Sequence, residues 1–146
     1  RLTNAGANGT PQIVAPGCYD LVDVVGWQPI AAKWGQHMKH AHNRLIKSSG
    51  LNGEERRETA REMAKRLRAS DTPAHVILPT RGIEEWDKPG GEAHDPFAFA
   101  EFCDEMRKVV IAPVHLTEID CHINDQAFAD KALEIFDGWV ADGTVK

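Results

Sequence analysis

The chain has 146 residues, of which 42% are hydrophobic, and a formal net charge of -5 at pH 7. This length and apolar content suffice for one domain with a buried core, whereas the negative charge argues against a broad nucleic-acid-binding surface. No apolar run reaches the roughly 20 residues that a membrane-spanning helix needs. The three cysteines, Cys18, Cys103 and Cys121, lack a Cys-x-x-Cys spacing, which favours free thiols in a reducing compartment, the cytoplasm.

The first residues predict a polypeptide longer than this chain. The sequence opens at Arg1 instead of methionine, and the polar segment after it resembles the tail of a preceding element. We therefore expect residues 1–146 to form a C-terminal α/β domain, a fragment whose partner is a missing N-terminal domain. Part of its apolar surface would then lie against that domain. We also expect the protein to form a homo-oligomer.

The first half of the chain predicts two strands separated by an irregular segment. Residues 12–15 are an apolar run between turn-forming glycines and prolines, which is typical of a buried parallel strand. Residues 24–34 have no clean period and contain the helix-breaking Pro29, so we expect a surface excursion there. Residues 37–43 then predict a second, more polar strand.

Two histidines lie on the same face of the predicted second strand. Alternation places His40 and His42 about 7 Å apart along the strand. They are candidates for holding a metal ion or a small ligand. Water or backbone partners are the favoured interpretation, because no cysteine or carboxylate follows at a zinc-ligand spacing.

The second half of the chain alternates helices and strands. Residues 53–68 form the clearest amphipathic helix, with Asn52 and Glu55 spaced as a capping box. A strand, a helix, a strand and a helix follow: residues 74–78, residues 96–110, a run from Val114, and a segment with the apolar stripe Phe128, Ala132, Ile135, Phe136 and Trp139. This order predicts parallel strands joined by right-handed crossovers. The predicted fold class is α/β, a three-layer sandwich with a mainly parallel sheet that is incomplete at its N-terminal edge.

One connection is unusually long. Residues 80–94 show no periodicity, and a connection of this length inside a compact α/β unit is usually functional or mobile. It begins with Arg81 and Gly82 at the exit of a predicted strand. It ends with His94 and Asp95, and Asp95 is a natural N-cap for the helix that follows.

Polar residues follow every predicted strand, and in an open parallel sheet the carboxyl ends of the strands lie on one side. We therefore expect these residues to form a common rim. The candidate binding residues are Asp20, His42, Asn43, Arg81, Gly82, Asp95, Asn124 and Asp125, and the candidate catalytic residues are His94 and His122. For Asp95, Asn124 and Asp125, capping of helices is the slightly favoured interpretation.

Arg81 is the predicted anchor of this rim, because a guanidinium binds a phosphate or a carboxylate in bidentate geometry. The helix N-termini near Pro96 and Gln126 add backbone N–H donors. His42, His94 and His122 can donate hydrogen bonds or transfer protons near neutral pH. The sequence has no glycine-rich phosphate loop, so it does not predict a self-sufficient nucleotide site.

The adjacent Cys121 and His122 suggest a nucleophile and its base. Neighbouring residues on an extended strand point to opposite faces of the sheet. His122 would therefore be poorly placed to activate Cys121, and we do not predict a cysteine nucleophile here.

Several short motifs occur in the order in which a known family carries them. They are Ala15-Pro16-Gly17 with Asp20, His42-Asn43, Leu78-Pro79 with Arg81-Gly82, Asp87 with Pro89-Gly90-Gly91, His94-Asp95-Pro96, and His122-Ile123-Asn124-Asp125 with Phe128-Ala129. On these residues the chain resembles the C-terminal portion of the Tm-one-like ATP-binding proteins, a family related to the tomato mosaic virus resistance protein of plants. The resemblance covers about the last third to half of a family member.

The resemblance implies a two-domain α/β protein in which the missing N-terminal domain chiefly holds ATP, with Mg²⁺ a possible companion. It also implies that the plant relative acts by binding a viral replication helicase.

The rim residues and this resemblance together give three hypotheses for the function. The domain binds an anionic small molecule at the rim, or it is an acid/base or metal-assisted enzyme acting on such a substrate, or it is a protein-interaction module. We expect neither a membrane nor a nucleic acid as partner, and we assign no metal to the rim.

Overall fold

The computed structural model of the protein describes residues 2–35, 37 and 39–145. Helices and strands alternate along most of the chain, as the sequence predicts. In chain order they are α1 (Asn4–Ala7), β1 (Gln12–Val14), β2 (Leu21–Val25), β3 (Lys39–His40), β4 (Ile46–Gly50), α2 (Gly53–Leu67), β5 (Ala74–Pro79), α3 (Pro96–Val109), β6 (His115–Ile119) and α4 (Gln126–Asp142). Two short 3-10 helices, Ala32–Trp34 and Glu85–Asp87, lie in the connections.

The central sheet is parallel and has the strand order β1-β5-β6. β5 is the middle strand, and its residues Val76, Ile77 and Leu78 are all 0% exposed. A continuous apolar run is what a strand buried on both faces requires. The sheet therefore needs a layer of helices on each side.

Helices supply both layers. On one face, α2 and α3 pack against Val76 and Leu78 through a core that includes Met63 and Phe102. On the other face, Ile77 lies in a smaller core with Phe128 of α4. The three-layer α/β architecture with a mainly parallel sheet is thus confirmed.

The predicted start signals of two helices are confirmed. The Asn52 side chain accepts the N–H of Glu55 at 3.0 Å, and the Glu55 side chain accepts the N–H of Asn52 at 3.0 Å, which completes a capping box for α2. At α3, the Asp95 side chain accepts the N–H of Ala98 at 3.0 Å. Each pair satisfies N–H groups that have no partner inside the helix.

The prediction of a second parallel strand over residues 37–43 is wrong. Of the residues that the structure describes in this range, Lys39 and His40 form the strand β3, and it pairs antiparallel with β4 in a separate sheet of order β2-β4-β3. β2 also takes Val24 and Val25 out of the predicted surface excursion. Strand formation in this part depends on pairing between distant segments, which local periodicity does not reveal.

α4 is the last element and covers one face of the central sheet. Its inner side includes Phe128, Ala132 and Ile135, whereas Leu133 and Phe136 on its outer side are 59% and 44% exposed. In the part of the chain that the structure describes, neither α4 nor any other helix is long and apolar enough to span a membrane.

Candidate ligand-binding cavity

A cavity of about 560 Å³ lies beside the carboxyl ends of β5 and β6. Small-molecule sites usually have volumes of roughly 300–1,000 Å³. Among its lining residues are six that the sequence predicts for the rim: Arg81, Gly82, His94, Asp95, His122 and Asp125. Its other lining residues are Arg56, Thr80, Asp87, Lys88, Pro89, Pro96 and Phe99. The structure therefore brings the long loop of residues 80–94 and the turn before α4 to one cavity.

Backbone hydrogen bonds tie the loop after β5 to the turn after β6. The N–H of Arg81 donates to the carbonyl of Cys121 at 3.0 Å. The N–H of Ile123 donates to the carbonyl of Gly82 at 3.0 Å. These bonds extend the contact between the two strands beyond their ends, so the two segments hold each other in place.

The carboxylate of Asp87 is buried at the centre of this arrangement. Its Oδ2 accepts the N–H groups of Ile83 at 2.5 Å and Glu84 at 3.3 Å, and its Oδ1 accepts a hydrogen bond from His122 Nε2 at 3.0 Å. Gly82 has φ 129°, and a Cβ there would lie 2.6 Å from His122 Cδ2 and closer still to Asp87 Oδ1. Glycine is required because the chain passes directly over this pair.

Both ring nitrogens of His122 are engaged within the protein. Its Nε2 also lies 2.9 Å from the carbonyl oxygen of Glu84, which only accepts, so Nε2 carries the proton. Its Nδ1 accepts the N–H of Asn124 at 3.1 Å. His122 is therefore held as one neutral tautomer that joins the two loops. In this geometry His122 positions the cavity wall. His94 is then the remaining candidate for proton transfer.

His94 has one ring nitrogen fixed by the protein. Its Nδ1 lies 2.8 Å from the carbonyl oxygen of Asp87, so this nitrogen donates and carries the proton. A neutral ring in this tautomer has Nε2 as its acceptor. His94 lines the cavity, which makes Nε2 the candidate base of the site.

Arg81 and Asp120 form a bidentate pair. Arg81 Nε lies 2.7 Å from Asp120 Oδ1, and Arg81 Nη2 lies 2.6 Å from Asp120 Oδ2. These hydrogen bonds raise the pKa of Arg81 and lower the pKa of Asp120. The two side chains are 64% and 74% exposed, and exposed pairs are held weakly. An anionic ligand can therefore exchange with the Asp120 carboxylate.

The remaining acidic and amide candidates have structural contacts. Asp95 caps α3, as described above. Asp125 Oδ2 accepts the N–H of His122 at 2.8 Å, which closes the turn before α4. Asn124 Nδ2 donates to Glu85 Oε2 at 2.8 Å and is outside the cavity lining. The capping interpretation fits Asp95, and the other two stabilise the loops.

His42 and Asn43 are outside the cavity lining, and they follow β3 of the antiparallel sheet. The Asn43 side chain accepts the N–H groups of Leu45 at 2.7 Å and Ile46 at 2.9 Å, which closes the β3–β4 turn. The His42 ring packs edge-on against Trp86, with ring centroids 5.5 Å apart. Across the described residues, no group of three or more His, Cys, Asp or Glu side chains is placed to hold a metal ion.

Arg56 is a lining residue that the sequence analysis missed. It is only 3% exposed, and its Nε donates to the carbonyl of Leu51 at 2.9 Å. Its Nη1 lies 3.5 Å from Oδ2 of Asp20, a predicted rim residue that is 0% exposed and outside the cavity lining. One signal was available, because Arg56 precedes Ala60 by four residues and so lies on the buried stripe of α2.

Glu84 is a third buried acid close to the site, after Asp87 and Asp20. One of its oxygens accepts the N–H of Trp86 at 2.8 Å, and the residue is 3% exposed. Burial raises the pKa of Glu84 to about 7, and the nearby Asp20 and Asp87 carboxylates add to the shift. The periodicity of the loop gave no sign of this burial.

Comparison with known proteins identifies the family. Residues 1–140 match the model of the uncharacterised protein family UPF0261, C-terminal domain. The chain belongs to this family. The resemblance that the motifs indicated is thus confirmed, including its position in the C-terminal part of a longer protein.

Relatives of the UPF0261 C-terminal domain occur in bacteria and in a plant. A UPF0261 protein of Brucella melitensis biotype 1 is 46% identical over 145 residues, which cover 99% of this chain and 35% of the relative. A UPF0261 protein of Clostridium tetani is 25% identical over 133 residues, or 88% of this chain and 32% of the relative. The ToMV resistance protein Tm-1(GCR237) of Solanum lycopersicum is 24% identical over 128 residues, or 86% of this chain and 17% of the relative. The chain thus spans about a third of the length of the bacterial relatives.

Proposed function

We propose that this domain binds a small anionic molecule, a phosphate or a carboxylate, in the cavity beside β5 and β6. One observation carries the proposal. Arg81 lines the cavity and already holds a carboxylate, that of Asp120, through two hydrogen bonds of 2.7 and 2.6 Å. A carboxylate or phosphate of a ligand can make the same pair of bonds.

Other groups around the cavity support an anion. Lys88 lines it and holds a second positive charge, which an exposed glutamate, Glu85, contacts at 2.7 Å. Pro96 also lines it, and as the first residue of α3 it marks a helix N-terminus, which favours negative charge. Three acids also line the cavity, namely Asp87, Asp95 and Asp125. Each already accepts a hydrogen bond from an N–H group of the protein, which partly offsets its negative charge.

Replacing Arg81 with alanine tests this proposal. We expect the affinity for inorganic phosphate and for acetate to fall by about tenfold or more, since a charge-assisted bidentate contact is lost. Isothermal titration at low ionic strength measures this, because salt screens exposed charges. The Arg81 side chain is 64% exposed, so folding should be unchanged.

Arg107→Ala is the matched control for Arg81→Ala. Arg107 also binds a carboxylate, that of Glu118, through Nε at 3.0 Å and Nη2 at 2.7 Å, and it is 42% exposed. It is outside the cavity lining, so its removal should leave anion affinity unchanged. Equal affinities in the wild type and Arg81→Ala would rule out Arg81 as the anchor.

A second candidate function is proton transfer to or from the bound molecule by His94. The observation that favours it is the contact between His94 Nδ1 and the Asp87 carbonyl, which presents Nε2 as the acceptor. General acid–base catalysis usually contributes roughly 100- to 10,000-fold. As a general base, His94 would take a proton from a water molecule that attacks a phosphate monoester or a carboxylic ester in the cavity, and the alcohol would leave with that proton.

His94→Gln is expected to lower such turnover by about 100-fold or more while phosphate affinity is retained. Glutamine keeps a donor for the Asp87 carbonyl but lacks the base. His115→Gln is the control, because His115 is exposed and packs against His75 instead of lining the cavity. Equal turnover in His94→Gln and the wild type would contradict the catalytic role.

A protein-interaction role is the third function that the sequence suggests. Its support is the similarity to the tomato resistance protein and not a feature of the cavity. A wild-type domain that binds neither phosphate nor carboxylate would favour this role over ours. ATP and Mg²⁺ belong, in this proposal, to the part of the longer protein outside this chain.

A further inference from the structure

We propose that the ligand carries two separated anionic groups, one bound by Arg81 and the other by the buried Arg56. This inference rests on the proposed function, since it assigns a second contact to the same ligand. The ligand class is a small dianion, such as an α,ω-dicarboxylate or a phosphorylated carboxylic acid.

Two adjoining cavities provide space for such an elongated molecule. The second cavity has a volume of about 510 Å³. It shares four lining residues with the first: Arg56, His94, Asp95 and Pro96. Arg56 lines both cavities and Arg81 lines the first, so a molecule bound to Arg81 in the first cavity can also contact Arg56, at the junction that the shared residues form.

Arg56 has donors to spare at this junction. In the described part of the chain its guanidinium makes one hydrogen bond, from Nε to the Leu51 carbonyl, although a guanidinium has five N–H donors. The contact between Nη1 and Asp20 is 3.5 Å, which is long for a hydrogen bond. The remaining N–H donors of this buried guanidinium therefore have no hydrogen-bond partner within the described part of the chain. An anion at the junction supplies these partners.

The charges around Arg56 permit an anion. Asp20 offsets part of the positive charge, but it is fully buried and outside both cavity linings. Glu92 lines the second cavity and pairs with His40 Nδ1 at 2.6 Å. Asp95 points one oxygen at the N–H of Ala98, and the N-terminus of α3 at Pro96 adds partial positive charge. A second anionic group therefore has Arg56 and a helix N-terminus to bind.

The test compares α,ω-dicarboxylates, from malonate to adipate, with their monomethyl esters by isothermal titration against the wild-type domain. We expect one chain length to bind about tenfold or more tightly than its ester, since only the diacid makes a second charge-assisted contact. Arg56→Lys keeps the positive charge but loses the planar guanidinium that can bind a carboxylate through two N–H groups. It should therefore reduce the affinity ratio of diacid to ester severalfold and leave the affinity for the ester unchanged. Arg81→Ala should weaken both compounds.

Thermal melting shows whether Arg56→Lys folds. If it does not fold, Lys88→Met provides the test instead. A diacid advantage that persists in Lys88→Met supports Arg56, and one that disappears there assigns the second contact to Lys88 and overturns the inference. An unchanged advantage in Arg56→Lys also overturns it. If the esters bind through Arg81 and the diacids bind no more tightly than the esters, this inference is overturned but the proposed function is not. Failure of every carboxylate to bind through Arg81 overturns the proposed function as well.

Discussion

Replacing Gly82 with alanine is expected to lower the free energy of unfolding by about 3 to 5 kcal/mol. Gly82 has φ 129°, a region that residues with a Cβ rarely adopt, and the new methyl group would collide with the Asp87–His122 pair. Either the backbone or this buried hydrogen bond must move. The midpoint of urea unfolding, at an unchanged slope, measures the loss. Phosphate affinity should fall too, since the pair supports the cavity wall.

Gly90→Ala, in the same loop, separates the cost of a positive φ from the cost of the steric collision. Gly90 also has a positive φ, 86°, but no heavy atom lies within 4 Å of the position that a Cβ would occupy. Its substitution should cost only the backbone term, about 1 kcal/mol. Similar losses in Gly82→Ala and Gly90→Ala would show that the close approach to Asp87 and His122 does not determine the stability of the loop.

The parts of the fold that the sequence predicts well are those with local causes. The capping box of Asn52 and Glu55 and the N-cap at Asp95 involve residues three apart, so the pattern itself contains both partners. The continuous apolar run of β5 likewise predicts a strand buried on both faces. The antiparallel sheet escaped prediction because β2 and β4 are joined by a connection of some twenty residues that includes β3, and their pairing depends on tertiary contacts.

The residues of the candidate site also divide into those that the sequence predicts and those that it does not. Arg81, Gly82 and Asp125 follow strands of the parallel sheet, so the topological rule placed them at one cavity. His42 and Asn43 follow β3 instead, and the same rule misplaced them. The partners of His122 Nε2 are Glu84 and Asp87, 38 and 35 residues away, so the contacts of this nitrogen cannot be seen in the sequence. Arg56 was not predicted as a lining residue because charged residues on helices are usually exposed.

The wild type is expected to become less stable as the pH rises, and replacing Glu84 with glutamine is expected to remove this loss of stability. Burial raises the pKa of Glu84 from its ordinary 4.5 to about 7 in the folded protein. Between these values the folded state binds a proton that the unfolded chain does not, so the free energy of unfolding falls as the pH rises through this window and levels off above it. A shift of this size corresponds to roughly 3 kcal/mol.

Urea unfolding at pH 5 and pH 8 measures the effect of Glu84→Gln. Glutamine resembles the protonated acid, so the two proteins should differ little at pH 5, and the variant should be the more stable at pH 8. Burial also raises the pKa of Asp20, but Asp20 is present in both proteins and largely cancels in the difference. Glu85→Gln is the control, because hydrogen bonds from Lys88 and Asn124 lower the pKa of this neighbouring acid. Its removal should not produce a gain at high pH. If Glu84→Gln and the wild type instead lose stability in parallel from pH 5 to pH 8, the Glu84 carboxyl is already ionised in the folded protein, and the loop around it is open to water.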